Sequence, residues 1–125
     1  MLSNRRLDKL IETAKPVCMN IPRQKRHCSL VVCKNEIISI GTNHFKTHPR
    51  AKQLGYRYDE VHSELDAFLK APQKNNLSLY SLYNFRFNRF GEMRMSRPCK
   101  LCMPWCMTVF DRIYFTTRNG LEGAR

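Results

Sequence analysis

Apolar side chains near the start of the chain recur at helical spacing, with charged residues between them. This pattern predicts an amphipathic helix that covers a sheet, and we expect the helix to end at Pro16. The stretch after it, residues 18–27, contains Pro22 and several basic residues, which is typical of a surface connection. The apolar stripe consists of Leu7, Leu10, Ile11 and Ala14.

Two short runs rich in β-branched residues come next, at residues 29–33 and 36–40. The pair Lys34 and Asn35 separates the runs, and Gly41 closes the second one. Two extended runs joined by two turn residues predict a β-hairpin.

The rest of the chain alternates between loop, helix and strand patterns. Residues 42–60 are polar, aromatic and basic without a clear period, which indicates a long loop that can carry function. Helices are predicted from about His62 to Lys70 and over residues 100–109, and strands over residues 77–87 and 112–116. This alternation predicts one α/β domain, residues 1–125, with helices against a mixed sheet.

The charge of the chain is strongly positive. Lys and Arg total 22 against 10 Asp and Glu, a net charge of +12. Such a surface attracts phosphates, although an excess of basic residues also keeps a small protein soluble. The sequence has no apolar run of membrane-spanning length and its first 15 residues lack the apolar stretch of a signal peptide, so we expect an intracellular, cytoplasmic protein without a membrane partner.

Two short motifs place metal-binding side chains at predicted helix starts. They read His62-Ser63-Glu64 and Pro98-Cys99-Lys100-Leu101-Cys102. The positive end of a helix lowers the pKa of a cysteine and favours the thiolate that binds metal. One imidazole and two thiolates would hold one zinc ion per chain and leave a fourth position for water, which is the arrangement of catalytic zinc sites. A carboxylate that is not a ligand, here Glu64, can then take and return the proton of that water.

These motifs match the H-x-E and P-C-x-x-C pattern of zinc nucleobase deaminases. From about residue 29 to residue 117 the sequence resembles the CMP/dCMP-type cytidine deaminase family, including the hairpin end Ser39-Ile40-Gly41-Thr42-Asn43. The resemblance implies a three-layer fold with a mixed sheet of four to five strands flanked by helices. It also implies zinc-dependent hydrolytic deamination of cytosine to uracil, on a cytidine or deoxycytidine nucleotide or on cytosine in single-stranded nucleic acid.

The resemblance further implies roles for individual residues. Glu64 would protonate N3 of the base and then pass a proton to the departing ammonia. Asn43 would contact the sugar, the Ser63 amide would face the base carbonyl, and the Arg97 carbonyl would accept from the exocyclic amine. The sequence ends nine residues after Thr116, so we expect a C-terminally shortened domain of about four strands, with an edge that favours a homo-oligomer.

Cys106 leaves a different kind of zinc site open. It lies four residues after Cys102 and would make a closed Cys₃His site if it reached the same ion. The protein would then be a non-catalytic, basic nucleic-acid-binding module with a structural zinc. Adenosine deamination in RNA uses the same motifs and is the third alternative. The simplest interpretation of Cys106, and of Cys18, Cys28 and Cys33, is a free thiol, buried in most cases.

Basic and aromatic residues elsewhere suggest further contacts. His44 and His48 are interpreted as ordinary loop histidines, with a second metal pair as the alternative. Arg89, Arg94 and Arg97 lie among aromatic residues, as in proteins that bind single-stranded nucleic acid. Because the cationic excess exceeds what one nucleotide needs, we hypothesise that single-stranded nucleic acid is the substrate. The alternative for the aromatic residues is that Phe85 and Phe87 form the buried face of a strand.

Overall fold

A mixed five-stranded sheet with helices on both faces forms the centre of the molecule in a computed structural model. The structure describes residues 4–21, 26–44, 49, 53–55, 61–72 and 80–124. The strand order is β2-β1-β3-β4-β5; β3 and β4 are parallel and the other neighbours are antiparallel. In chain order the elements are α1 (Asn4–Met19), β1 (Arg26–Cys33), β2 (Glu36–Thr42), α2 (Ser63–Lys70), β3 (Tyr80–Phe87), α3 (Cys102–Val109), β4 (Arg112–Thr117) and β5 (Gly120–Gly123).

The predicted fold class, a mixed sheet flanked by helices, is therefore confirmed, with five strands. The fifth strand, β5, pairs with β4 in antiparallel register, from Thr117 opposite Gly120 to Tyr114 opposite Gly123. The expectation of about four strands rests on the sequence ending nine residues after Thr116, and the observed five lie within the predicted four to five. The Gly-Leu-Glu-Gly run of β5 has little intrinsic strand propensity. Pairing with β4 supplies the backbone hydrogen bonds that make it a strand. None of the helices within the described ranges is long and apolar enough to cross a membrane.

The first helix does not end at Pro16 as the sequence pattern predicted. Pro16 lies inside α1, which continues to Met19. A proline lacks the N–H of a regular helical bond, so the last turn needs another source of stability. Cys18 is fully buried in the core beneath α1, and this burial supplies it. The expected surface connection of residues 18–27 therefore begins with the end of α1 and finishes with the start of β1. Residues 22–25 between them lie outside the described part of the chain.

The alternation of side chains along the strands builds two cores, one on each face of the sheet. Under α1 the core contains Leu30, Phe85 and Phe87, and under α2 and α3 it contains Val31, Leu82 and Ile113 among others. Consecutive residues Leu30 and Val31 point to opposite faces because strand side chains alternate. The protein therefore has three layers.

The hairpin of β1 and β2 is confirmed, with Lys34 at the turn in the left-handed region at φ 57°. The predicted helix after residue 60 is also confirmed as α2, with Leu65 and Phe68 in the core. Most of the predicted loop at residues 42–60 lies outside the described residues, as does the start of the strand predicted at residue 77.

Asp66 fastens α2 to the end of β2. Its buried carboxylate accepts a hydrogen bond of 2.9 Å from the Thr42 amide and lies 2.8 Å from Lys70 Nζ. The Nε2 atom of His44 lies 3.1 Å from the other carboxylate oxygen. These contacts compensate the buried charge and fix where α2 begins.

Candidate metal centre and active site

Three predicted metal ligands come together where α2 and α3 begin. His62 is the residue before α2, and its extended backbone, with φ −77° and ψ 155°, turns the chain into the helix. Cys102 is the first residue of α3, and the Met103 amide donates to the Cys99 carbonyl at 2.9 Å, which wraps Cys99 into the preceding turn. The ligand atoms of His62, Cys99 and Cys102, called here the metal group, all lie within 4.8 Å of one another.

The spacing of these atoms fits a tetrahedral zinc ion. His62 Nδ1 lies 3.5 Å from Cys99 Sγ and 3.5 Å from Cys102 Sγ. Zinc–sulfur and zinc–nitrogen bonds at tetrahedral angles separate a sulfur from a nitrogen by about 3.6 Å. One imidazole and two thiols are also the donor types that zinc prefers. The metal group therefore fits the predicted zinc ion.

Hydrogen bonds around Cys99 favour its thiolate. A hydrogen bond from the Cys102 thiol is the largest cause, followed by one with His62 and by the backbone N–H groups of Cys102 and Leu101. Together they outweigh partial burial and lower the pKa of Cys99 to about 3. Because the thiolate is the form that binds metal, Cys99 is ready to act as a ligand.

Cys106 lies outside the metal group, although it is one turn after Cys102. Its side chain is fully buried, and burial raises the pKa of its thiol, as do the nearby charges of Glu64 and Cys99. A neutral, buried thiol is a poor metal ligand. This arrangement favours three protein ligands over a closed Cys₃His site.

Glu64 is buried beside the metal group without belonging to it. The residue is 6% exposed and lines the same cavity as His62 and Cys99. Burial raises the pKa of Glu64 by more than hydrogen bonds from its own backbone N–H and from Asn84 lower it. A carboxyl group with a raised pKa holds its proton more readily than an ordinary one, which suits general acid–base catalysis.

A closed ring of hydrogen bonds surrounds the Glu64 carboxyl group. Asn84 Nδ2 donates to Glu64 Oε2 at 3.0 Å, and Ser29 Oγ donates to Asn84 Oδ1 at 2.6 Å. Ser63 Oγ closes the ring, 2.8 Å from Ser29 Oγ and 3.2 Å from Glu64 Oε1. The carboxyl group thus accepts from Asn84 on one oxygen and from Ser63 on the other. These four side chains are called here the Glu64 ring.

Asn84 also ties this ring to the segment that leads to Cys99. Its second amide hydrogen is donated to the Ser96 carbonyl at 3.1 Å, and Ser96 Oγ donates to the Asn84 carbonyl at 2.8 Å. Ser96 is held in turn by β4, because its amide donates to the Thr116 carbonyl at 3.0 Å. Ser96 and Thr116 are both buried, so the link is shielded from water.

A cavity of about 290 Å³ opens above the metal group and Glu64. The three residues assigned to substrate contacts from the family resemblance, Asn43, Ser63 and Arg97, all line it. Asn43 Oδ1 accepts from the His27 amide at 3.2 Å, which fixes its side chain at the cavity wall. The structure thus brings all seven predicted site residues to one place, while their roles remain predictions.

Two arginines give the cavity an anion-binding character. Arg86 and Arg97 both line it. Arg97 stacks on the Phe115 ring, with its guanidinium carbon 5.5 Å from the ring centroid. Arg86 Nη1 lies 3.5 Å from the Met95 carbonyl, and its buried Nε has no hydrogen-bond partner within the described part of the chain. Guanidinium groups of this kind bind phosphate oxygens.

Other predicted contacts have different outcomes. His44 lies 3.1 Å from Asp66 and is not part of a metal group among the described residues. His48 lies outside the described residues. Phe85 and Phe87 are buried under α1, so the alternative of a buried strand face is correct for them. Phe90 and Arg97 are exposed.

Sequence patterns alone did not reveal the Glu64 ring or Arg86. Ser29 and Asn84 are the polar residues at fully buried positions of β1 and β3, surrounded by Leu, Val, Tyr and Phe. A polar side chain in an otherwise apolar strand was the available signal. Burying such a side chain is costly unless it is hydrogen-bonded, so its presence indicates a buried hydrogen-bond partner. Its partners, more than 30 residues away for Ser29, could not be identified without the fold.

Comparisons with known proteins identify the fold. No protein-family model and no curated protein matches the sequence. The apo crystal structure of dCMP deaminase from the cyanophage S-TIM5 superposes with a TM-score of 0.63 and 15% identity, covering 93% of this chain and 86% of that one. The same enzyme in complex with dCMP and dUMP gives a TM-score of 0.50 and 15% identity, covering 68% of each chain. The chain therefore has a dCMP deaminase-like fold.

Proposed function

We propose that this protein is a zinc-dependent deaminase that hydrolyses cytosine to uracil in a cytidine or deoxycytidine nucleotide. One observation carries the proposal: a buried carboxyl group, Glu64, lies in the same cavity as a three-ligand metal group that it does not join. Closed structural zinc sites have four protein ligands and need no such neighbour. The dCMP deaminase-like fold supports the same reaction.

His62, Cys99 and Cys102 would hold the zinc ion. When bound, zinc supplies a Lewis acid that makes water a nucleophile near neutral pH. The protein's part is to favour the Cys99 thiolate and to place the imidazole beside both sulfur atoms, each of which lies 3.5 Å from His62 Nδ1.

Glu64 would move the protons. It takes one from the attacking water, delivers it to N3 of the cytosine ring, and later assists transfer of a proton to the departing amino nitrogen, so that cytosine and water become uracil and ammonia. Its raised pKa suits this exchange, since a carboxyl of ordinary acidity would release its proton too readily to act as an acid. The Ser63 amide would face the base carbonyl, and the Arg97 carbonyl would accept from the exocyclic amine.

The cavity suits one nucleotide. Its volume of about 290 Å³ is at the lower end of small-molecule sites. Asn43 would contact the sugar, and the guanidinium groups of Arg86 and Arg97 would bind the phosphate. The solved relative with bound ligands was crystallised with dCMP and dUMP, which supports a nucleotide substrate.

A side-by-side assay tests this proposal. Zinc-loaded protein is incubated with dCMP, CMP, deoxycytidine and a cytosine-containing single-stranded oligonucleotide, and products are weighed by mass spectrometry. Conversion of amine to carbonyl adds about one dalton. The proposal expects conversion of dCMP or CMP, faster than that of the nucleoside. If none of these substrates is converted, the protein is not a cytosine deaminase.

A second candidate substrate is single-stranded nucleic acid. Phe90 is 70% exposed, and the Arg89 guanidinium lies 4.8 Å from its ring centroid. An exposed aromatic ring with a cation beside it is a platform on which bases stack. The oligonucleotide in the same assay, compared with dCMP, decides between the two.

A further inference from the structure

The side chain of Asn84 connects the two halves of the candidate site. One amide hydrogen is donated to Glu64 Oε2, which belongs to α2, and the other to the Ser96 carbonyl, which belongs to the segment leading to Cys99. Its oxygen accepts from Ser29 on β1. With three strong contacts to three different parts of the fold, the carboxamide plane has a single orientation available to it.

Asn84 itself is placed away from substrate. It is 1% exposed and does not line the cavity, whereas Glu64 does. Any effect of Asn84 on the reaction must therefore pass through the groups that it holds. Partners at this distance from a reacting centre change activity by about 10- to 100-fold when removed.

We propose that Asn84 is the positioning residue of Glu64: its amide holds the carboxyl group in the plane from which protons are exchanged with the base. This inference rests on the proposed function for its kinetic consequence, while the orientation of Glu64 is a structural claim that stands independently. A leucine of similar shape removes all three contacts of Asn84. The Glu64 carboxyl then keeps its contact with Ser63 and the hydrogen bond from its own backbone N–H, but loses the Asn84 bond that holds Oε2.

The matched control is Ser39→Ala. Ser39 on β2 donates a buried hydrogen bond of 2.8 Å to the Ala67 carbonyl in α2, the helix that carries Glu64. The substitution removes a buried hydrogen bond to the same helix without touching the Glu64 ring. A general loss of stability in α2 therefore affects both variants, and a loss of Glu64 orientation affects only Asn84→Leu.

Kinetic and structural readouts test the proposal together. In zinc-loaded protein, Asn84→Leu should lower kcat on the preferred nucleotide at least about tenfold, with KM and zinc content unchanged, while Ser39→Ala stays within about twofold. In a Glu64→Gln background, Asn84→Leu should cause no further loss. Crystal structures should show the Glu64 carboxyl turned away from its wild-type position in Asn84→Leu and unchanged in Ser39→Ala.

Each outcome bears on one claim. If the Glu64 carboxyl keeps its wild-type position in Asn84→Leu, or if that substitution lowers the residual rate of Glu64→Gln by a further tenfold, the positioning role is wrong. If wild-type protein deaminates no cytosine substrate, the proposed function fails, and the crystal structures still decide what orients Glu64. Should Asn84→Leu not fold, Asn84→Ser, which is too short to reach Glu64, replaces it with the same expectations.

Discussion

Gly41 lies directly against the backbone of Ala67, where β2 meets α2. A methyl group on Gly41 would overlap the Ala67 amide and the Ser63 carbonyl, both of which are backbone groups that cannot move aside. The absence of a side chain at Gly41 therefore sets how closely α2 approaches the sheet. Since α2 carries Glu64 and is preceded by His62, this contact also sets the position of the candidate site.

Gly41→Ala should destabilise the protein by about 1–3 kcal/mol or more, because overpacking against rigid backbone forces α2 outward. Zinc affinity should fall as well, since His62 moves with the helix. Chemical denaturation and zinc titration measure the two effects. Ser39→Ala, which removes one hydrogen bond to the same helix residue without a clash, should cost only about 1 kcal/mol. Equal losses in the two variants would show that α2 adapts to the added methyl group.

Substitution of the metal group should remove zinc, and substitution of Cys106 should not. Cys102→Ala deletes a ligand of the metal group, whereas Cys106→Ala deletes a buried thiol one turn later in the same helix. We expect about one zinc per chain in the wild type and in Cys106→Ala, and a large loss in Cys102→Ala, measured by elemental analysis. A large loss of zinc from Cys106→Ala would indicate a closed site and favour the nucleic-acid-binding module.

Loss of the Arg86 charge should weaken the binding of nucleotides and leave the reaction of nucleosides unchanged. Arg86→Met keeps much of the side-chain volume and removes the charge, so KM for dCMP should rise about tenfold or more while turnover of deoxycytidine stays unchanged. Arg112→Met is the control, because Arg112 is exposed at the start of β4 and does not line the cavity. Equal effects on nucleotide and nucleoside would place the phosphate elsewhere.

The salt dependence of binding separates the two candidate substrates. Each phosphate neutralised on a single strand adds about 0.7 to the slope of log affinity against log salt concentration. If the substrate is a nucleotide, the protein contacts only one or two phosphates of an oligonucleotide, and the slope should correspond to that number. Two results together would favour single-stranded nucleic acid as the substrate. The slope would be several times larger, and the double variant Phe90→Ala, Arg89→Ala would reduce it.

Local patterns were sufficient to find the three residues of the metal group, because His62, Cys99 and Cys102 lie at or just before helix starts and their spacing is a property of a few residues. The same holds for the hairpin and for α2. Contacts between distant segments could not be predicted this way. Asn84 and Gly41 look ordinary in the sequence, and only the pairing of strands and the approach of α2 give them partners.

Tertiary context also overruled local preference at two places. Pro16 should have ended α1, but burial of Cys18 holds one more turn. The Gly-Leu-Glu-Gly run forms strand β5 because its backbone pairs with the edge of β4. The single domain over residues 1–125, the cytoplasmic location and the homo-oligomer stay predictions.

Turnover of Glu64→Gln tests the central claim most directly. Glutamine has nearly the same shape as glutamate but cannot exchange a proton, so the variant should retain one zinc per chain and the wild-type fold while losing catalysis. Mass spectrometry of dCMP incubated with zinc-loaded wild-type and Glu64→Gln protein gives both rates. We predict conversion to dUMP by the wild type and a rate at least about a hundredfold lower in the variant. Equal rates in the two proteins would contradict Glu64 as the proton carrier and, with it, the proposed mechanism.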